Sequence, residues 1–169
     1  MSTRTLVVMR HAKAEPVAAS DHDRELLPRG VADATAAGRW AASVGITPDH
    51  VVVSSAARTQ GTWQAVADGA GWSAGAVTDK SLYSAGTDGA LEILRTVPPD
   101  AATVLLVGHN PTMAYLVHLL DDGGADPAVF AEISAGYPTS ALTVLEVSGP
   151  WESLDVGTAR ITGFHVGRG

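Results

Sequence analysis

Residues Leu6-Val-Val-Met9 form a bare apolar run, and the run stops abruptly at Arg10-His11. Four consecutive apolar side chains suit a strand buried on both faces, the environment of a central strand in a parallel sheet. Such a strand must sit between two layers of helices. A strand that then delivers a guanidinium and an imidazole to a loop belongs where an open α/β sheet binds its ligands, at the carboxyl edge. Alone, an Arg-His pair is an ordinary surface dipeptide, but the pattern recurs. Val51-Val-Val53 leads through Ser54-Ser55 to Arg58, and Thr103-Val-Leu-Leu-Val107 ends in Gly108-His109-Asn110-Pro111.

The segments between these strands read as helices. Pro28 suits a first turn ahead of the alanine-rich stretch Val31 to Ser43, and Gly45 ends it. Ser54-Ser55 can cap a helix from about Ala56 to Ala70, closed by Gly71. Ala76-Val-Thr78 is a weak strand, and Leu82 to Gly86 reads as a loop. Thr87 can cap Asp88 to Val97, which Pro98-Pro99 stops. Pro111 opens a helix through Leu120, broken by Asp121-Asp-Gly-Gly124. Ser140 to Val147 and Thr158 to Phe164 are strands with no useful helix between them, hence antiparallel neighbours near an edge. Lys13 to Leu27 is polar and irregular, and Gly167 to Gly169 reads as a frayed tail. The order predicts an α/β fold: a three-layer α/β/α sandwich with a mostly parallel central sheet and antiparallel edge strands. At 169 residues, one domain spanning 1–169 is expected.

If the three strands are parallel, their ends open on one crevice holding Arg10, Arg58, His11 and His109. The chain is otherwise acidic, with 11 basic and 18 acidic residues and a net charge of −7. That balance argues against a nucleic-acid or anionic-membrane surface. It leaves the crevice as a local concentration of positive charge, to which helix N-termini after Ser55 and Asn110 would add free N–H groups. The guest that fits is a compact, doubly charged anion such as a phosphoryl group. The absence of cysteine excludes disulfide, iron–sulfur and thiol chemistry. No apolar run approaches the length of a signal peptide core or a membrane span, so a cytoplasmic protein is expected.

Three ordered motifs carry a family resemblance. Leu-Val-Val-Met-Arg10-His11-Ala-Lys-Ala-Glu15 resembles the signature of the histidine phosphatase superfamily, the phosphoglycerate-mutase-like fold. Ser54-Ser-Ala-Ala-Arg58-Thr-Gln-Gly-Thr62 is similar to its second phosphate-binding segment, and Val107-Gly-His109-Asn-Pro111 to the segment carrying its second histidine. The small size, Asp23-Arg24-Glu-Leu-Leu-Pro-Arg29-Gly30 and Tyr137-Pro-Thr-Ser-Ala-Leu142 resemble the phosphohistidine phosphatase SixA branch. Two positions depart from the pattern: Ala12 stands for the usual Gly, and Glu25 for the Pro after Asp-Arg.

The resemblance implies that His11 is the nucleophile of a phosphohistidine intermediate and that Arg10, Arg58 and His109 hold the phosphoryl oxygens. Arg24 is a further phosphate candidate, against the alternative that Asp23-Arg24 orders its own loop. Neutral imidazole is the attacking form, and flanking guanidiniums favour it. With that much positive charge no metal and no cofactor is expected. Larger members of the superfamily carry a carboxylic acid near residues 80 to 86 to protonate an alkoxide leaving group; Ser81-Leu-Tyr83-Ser-Ala-Gly86 has none. A protonated imidazole leaves without such help, so the expected substrate is a phosphorylated protein bearing phosphohistidine, or a small activated phosphoryl donor. Glu15, Asp21, Asp23 and Glu92 are substitute acids. Tyr83 reads as a wall or core residue, and His22, His50, His118 and His165 as surface or packing. The competing functions are a phosphoacceptor on His11 with little turnover, a small-molecule phosphomonoesterase, and a metal hydrolase using His11, His109 and an Asp. A monomer is compatible with all of them.

Overall fold

The structure is a computed structural model describing residues 2–169. One six-stranded sheet has the order β3-β2-β4-β1-β5-β6. Its strands are β1 (Arg4–Arg10), β2 (His50–Ser54), β3 (Val77–Asp79), β4 (Thr103–Gly108), β5 (Ala141–Val147) and β6 (Ala159–Val166). β3, β2, β4 and β1 pair in parallel, while β5 is antiparallel to β1 and β6 to β5. The late hairpin therefore forms one margin of the sheet, as its lack of a crossover helix predicts.

Alternation along the central strands builds two cores. Leu6 and Val8 of β1 and Val104 and Leu106 of β4 face one way, into a cluster with Leu116, Val117, Leu120 and Trp151. Val7, Met9, Leu105 and Val107 face the other, against Ala34, Ala37, Trp63 and Val66. A strand with helices on both faces reads as a continuous apolar run, and each buried Val or Leu contributes about 1.5–3 kcal/mol. The fold is the expected three-layer α/β/α sandwich, with a mostly parallel sheet and an antiparallel hairpin at one margin.

The second core lies under α1 (Pro28–Ser43) and α2 (Ala57–Ala70), which cross at very short range. A Cβ on Gly38 of α1 would collide with the Val66 carbonyl oxygen, and one on Gly69 of α2 with that of Thr35. Gly71 adopts the left-handed conformation and closes α2, as its place in the sequence predicts.

Several elements differ from expectation. Lys80–Ser84 is not all loop but a short helix, α3, capped by the Asp79 side chain. α4 (Thr87–Arg95) starts with Thr87 inside it, and Gly86 holds the cap position. After α5 (Thr112–Leu120) an unpredicted α6 spans Pro127–Ala135, opened by an Asp126 carboxylate that accepts from Ala128 N–H. The tail is tied down. Gly167 N–H donates to the Ser140 carbonyl, and Gly169 N–H and Arg168 both reach the buried Asp33 carboxylate. Among the described residues no helix is long and apolar enough to cross a membrane.

Candidate active site

Because β2, β4 and β1 are parallel neighbours, their carboxyl ends lie side by side, with Arg10 paired to Gly108 in register. The next residues, His11 and His109, face each other with ring centroids 5.4 Å apart. The backbone of His11 is pinned from both sides: its N–H donates to the Gly108 carbonyl, and its carbonyl accepts from Ser140 N–H. Ala12 is fully buried in the α1–α2 core, so its methyl group, where the resembled signature has Gly, is absorbed by packing. Ala12 N–H donates to Thr62 Oγ1 at 2.9 Å, which fixes the loop to α2.

The His11 ring has one protein partner. Its Nδ1 lies 2.8 Å from the Ala12 carbonyl oxygen. A carbonyl only accepts, so Nδ1 carries the hydrogen and Nε2 keeps its lone pair. Burial, then Arg58, Arg10 and Arg24, push the ring pKa down to about 4, against the Ala12 carbonyl, which favours the protonated form. His109 is pushed down to about 3, by burial first and Arg58 next. Both imidazoles are neutral at neutral pH, and the Nε2 lone pair of His11 is not taken up by any described residue.

Three basic residues surround this pair. Arg10 Nη1 donates to the Tyr137 carbonyl at 3.0 Å, and Asn110 Nδ2 to the same oxygen at 2.9 Å. Tyr137 is buried, and its hydroxyl donates to the Val8 carbonyl at 2.8 Å, with Thr143 Oγ1 at the same distance. It thus anchors the guanidinium to the sheet. Arg58, 6% exposed, lies in the first turn of α2. Its Nη1 donates to the Asp21 carbonyl at 2.8 Å and its Nη2 to Asp21 Oδ2 at 3.1 Å. Arg24 donates through Nε to the Glu15 carbonyl and through Nη1 to Asp21 Oδ1. Arg24 is thus committed to its own loop, although it is near enough to depress His11.

That loop, residues 13–27, is folded back on itself. Glu15 N–H donates to the Glu25 carbonyl and Leu27 N–H to the Lys13 carbonyl, with Ala14 bridging Leu26. Its tip brings in Asp21, read from the sequence only as a substitute acid, and His22, read as surface or packing. Asp21 accepts from Arg24, Arg58 and Tyr83 Oη, the last at 2.6 Å. His22 places Nε2 2.9 Å from Ser55 Oγ, packs edge-on against Tyr83 and accepts Ala57 N–H with its carbonyl. His22 is therefore part of the pocket rim rather than plain surface, and Tyr83, edge-on to His109 at 5.6 Å, is the wall expected of it.

Ser54 and Ser55 do not cap α2. Their hydroxyls serve His109 Nε2, at 2.7 Å, and His22. Ala56 takes the cap position without a side-chain bond. The N–H groups of Ser55, Ala57 and Gln60 are used inside the protein, while those of Arg58 and Thr59 in the first turn of α2 have no acceptor among the described residues. Side chains add further unspent nitrogens. Arg10 Nε, Arg58 Nε and His109 Nδ1 are buried with no protein partner.

Three of the four candidate acids, Asp21, Glu15 and Glu92, are occupied. The Tyr83 hydrogen bond, then those of Arg24 and Arg58, hold the Asp21 carboxyl well below the usual carboxylate range, so it cannot donate a proton near neutrality. Glu15 Oε1 accepts Glu25 N–H, and Glu92 pairs with Arg95 on α4. Among the described residues no three His, Asp or Glu side chains gather as a metal-holding group.

Comparison with known proteins fits this geometry. Residues 6–83 match the family model of the histidine phosphatase superfamily (branch 1). The chain is 39% identical over 162 residues to an uncharacterised protein of Mycobacterium tuberculosis, covering 95% of this chain and 100% of that one. It is similar to the solved structure of a candidate phosphohistidine phosphatase SixA from Nakamurella multipartitia, at 37% identity and a TM-score of 0.87, covering 99% and 98% of the two chains. A counterpart from Agrobacterium tumefaciens gives 29% identity and a TM-score of 0.80, covering 96% and 97%.

Proposed function

The chain belongs to the histidine phosphatase superfamily and is a phosphatase, and from that premise we propose that His11 carries the phosphoryl group and that the substrate is a phosphohistidine borne by a protein. Residues 1–169 then act as a single histidine phosphatase domain.

The observation that carries this reading is the set of unsatisfied nitrogens around an oriented nucleophile. Arg10 Nε, Arg58 Nε and His109 Nδ1 are buried without partners, on residues close enough to influence His11 or each other electrostatically. Leaving a buried donor unpaired costs about 1–3 kcal/mol, and phosphoryl oxygens would satisfy all three, His109 Nδ1 in the tautomer in which the Ser54 hydroxyl donates to Nε2. In the first step His11 Nε2 attacks phosphorus. The P–N bond to the substrate imidazole breaks, and that imidazole leaves carrying its own proton. Water then attacks phosphorus and passes a proton to a phosphoryl oxygen, the P–Nε2 bond breaks with its electron pair returning to His11, and inorganic phosphate leaves. Preorganised donors on the equatorial oxygens supply most of the stabilisation in such transfers.

Leaving-group chemistry supports the P–N bond. Asp21 is held ionised, and Glu15 and Glu92 are engaged elsewhere, so none of the three is poised to protonate an alkoxide. The test is a substrate panel of phosphohistidine peptide, phosphotyrosine peptide and a simple phosphosugar, run on wild type and His11→Ala. Phosphohistidine peptide should turn over fastest, and His11→Ala should lose both turnover and acid-labile phosphate incorporation. A phosphosugar hydrolysed as fast as the peptide would remove the substrate assignment. Full activity of His11→Ala would remove the mechanism.

A further inference from the structure

Arg58 presents an unusual arrangement for a phosphate ligand. Each of its terminal nitrogens already spends one of its two N–H groups on Asp21, one on the carbonyl and one on the carboxylate, and Nε has no protein partner. The carboxylate itself is 54% exposed and shared among Arg58, Arg24 and Tyr83 Oη. Arg58 has anchors other than that charge. The guanidinium is buried, lies 5.9 Å from the Tyr83 ring centroid, and donates to the Asp21 main-chain carbonyl. What the carboxylate adds is one negative charge beside the group meant to hold an oxyanion.

We propose that the Asp21 carboxylate is a built-in competitor for the Arg58 guanidinium, weakening the site's hold on inorganic phosphate so that the product leaves. A pocket with several buried cationic and neutral donors risks binding its product too well, because binding energy spent equally on substrate, transition state and product does not raise turnover. A fixed anion lowers affinity for every oxyanion in the site. Hydrogen bonds from Tyr83 and Arg24 hold that anion ionised and stop it from folding over the pocket. Asp21 is thus a positioning residue that sets product affinity. This inference rests on the reading of Arg58 as a phosphate ligand.

The experiment is equilibrium titration of the full chain with inorganic phosphate, by calorimetry, at two ionic strengths. Asp21→Asn keeps the shape and an acceptor oxygen while removing the charge. It should bind phosphate about tenfold more tightly, as expected for deleting a nearby unit charge, and the gain should shrink as salt rises. Unchanged or weaker binding overturns the proposal, since a merely structural role predicts loss. Tyr83→Phe gives a second, opposite test. Without the hydroxyl, the carboxylate leans wholly on the two arginines, and phosphate should bind roughly threefold more weakly; tighter binding overturns the proposal. Phosphate binding needs no turnover, so a wild type inactive on phosphohistidine peptide would defeat the proposed function while these affinities still decided the role of Asp21.

Discussion

The hydroxyl of Ser54 lies 2.7 Å from Nε2 of His109, joining the end of β2 to the end of β4 across the crevice floor. It is the only protein contact that fixes the His109 ring by hydrogen bonding, since Nδ1 has none. Ser54→Ala should leave that ring free to turn. A misplacement of about 1 Å at a reacting centre can cost about 10²-fold, so kcat should fall by that order while KM changes less. The lost bond should cost about 1 kcal/mol of stability. Steady-state kinetics with phosphohistidine peptide and a thermal melt check both, and wild-type kcat would mean that packing alone orients His109.

Arg58→Ala should be more severe. It removes a buried guanidinium proposed to hold the phosphoryl group, and with it two bonds that moor the 13–27 loop to α2. Loss of one preorganised donor typically costs about 10²–10³ in rate. Vanadate inhibition should weaken in parallel, and limited proteolysis should become faster within residues 13–27. Arg58→Lys should rescue little, because a lysine cannot engage Asp21 and an oxyanion through one planar fork. Unchanged vanadate inhibition in Arg58→Ala would place the residue outside the binding site.

The strands that position this site were legible because each is covered on both faces, so that Leu6 to Met9, Val51 to Val53 and Thr103 to Val107 read as unbroken apolar runs. Their termini gave Arg10, His11, Arg58 and His109 for the same reason. The contacts that tune those residues were not legible. Asp21 and Tyr83 are 62 positions apart, and nothing in either neighbourhood announces their hydrogen bond. The two serines at 54 and 55 carry a strong local preference for helix caps, but tertiary partners with buried imidazole nitrogens outweighed it. α6 is only nine residues long, too short for its Val129, Phe130 and Ile133 spacing to stand out, though Asp126-Pro127 was a usable start signal. The tail looked frayed because the anchor that holds it, Asp33, lies over 130 residues away on α1.

Reciprocal glycine contacts between α1 and α2 set the second core. Gly38→Ala would drive a methyl group into the Val66 carbonyl oxygen, which is backbone and cannot swing aside. Overpacking of this kind costs typically 1–3 kcal/mol and more where backbone must move. For a domain of this size, a loss of about 3 kcal/mol corresponds to a Tm drop of roughly 6–12 °C. Gly136→Ala, where a Cβ meets nothing within 4 Å and φ is 165°, is the matched control and should melt near wild type. Because Arg58 and Thr62 ride on α2, Gly38→Ala should also lower activity below the melt. Equal melting of the two variants would show that the helices can separate freely.

The depressed histidine pKa values make a pH prediction with a definite sign. In the folded chain His11 sits at about 4 and His109 at about 3, against 6.5 for an unperturbed ring. Between those values the unfolded chain binds protons that the folded chain refuses. The slope of unfolding free energy with pH is therefore positive there. The contribution of these two rings is fully present above about pH 6.5 and is lost as pH falls towards 4. Activity should behave differently over the same window. His11, the proposed nucleophile, stays neutral until about pH 4, so once the substrate phosphate's own ionisation is divided out, the enzyme's acid limb in kcat/KM for an acid-stable aryl phosphate should lie near 4 rather than near 6.5. Ring proton shifts of His11 followed by NMR, assigned with His11→Asn, should stay flat from pH 8 to about 5. A midpoint near 6.5 would mean that the ring is solvated rather than buried beside the arginines, and the proposal of His11 as nucleophile would lose that support.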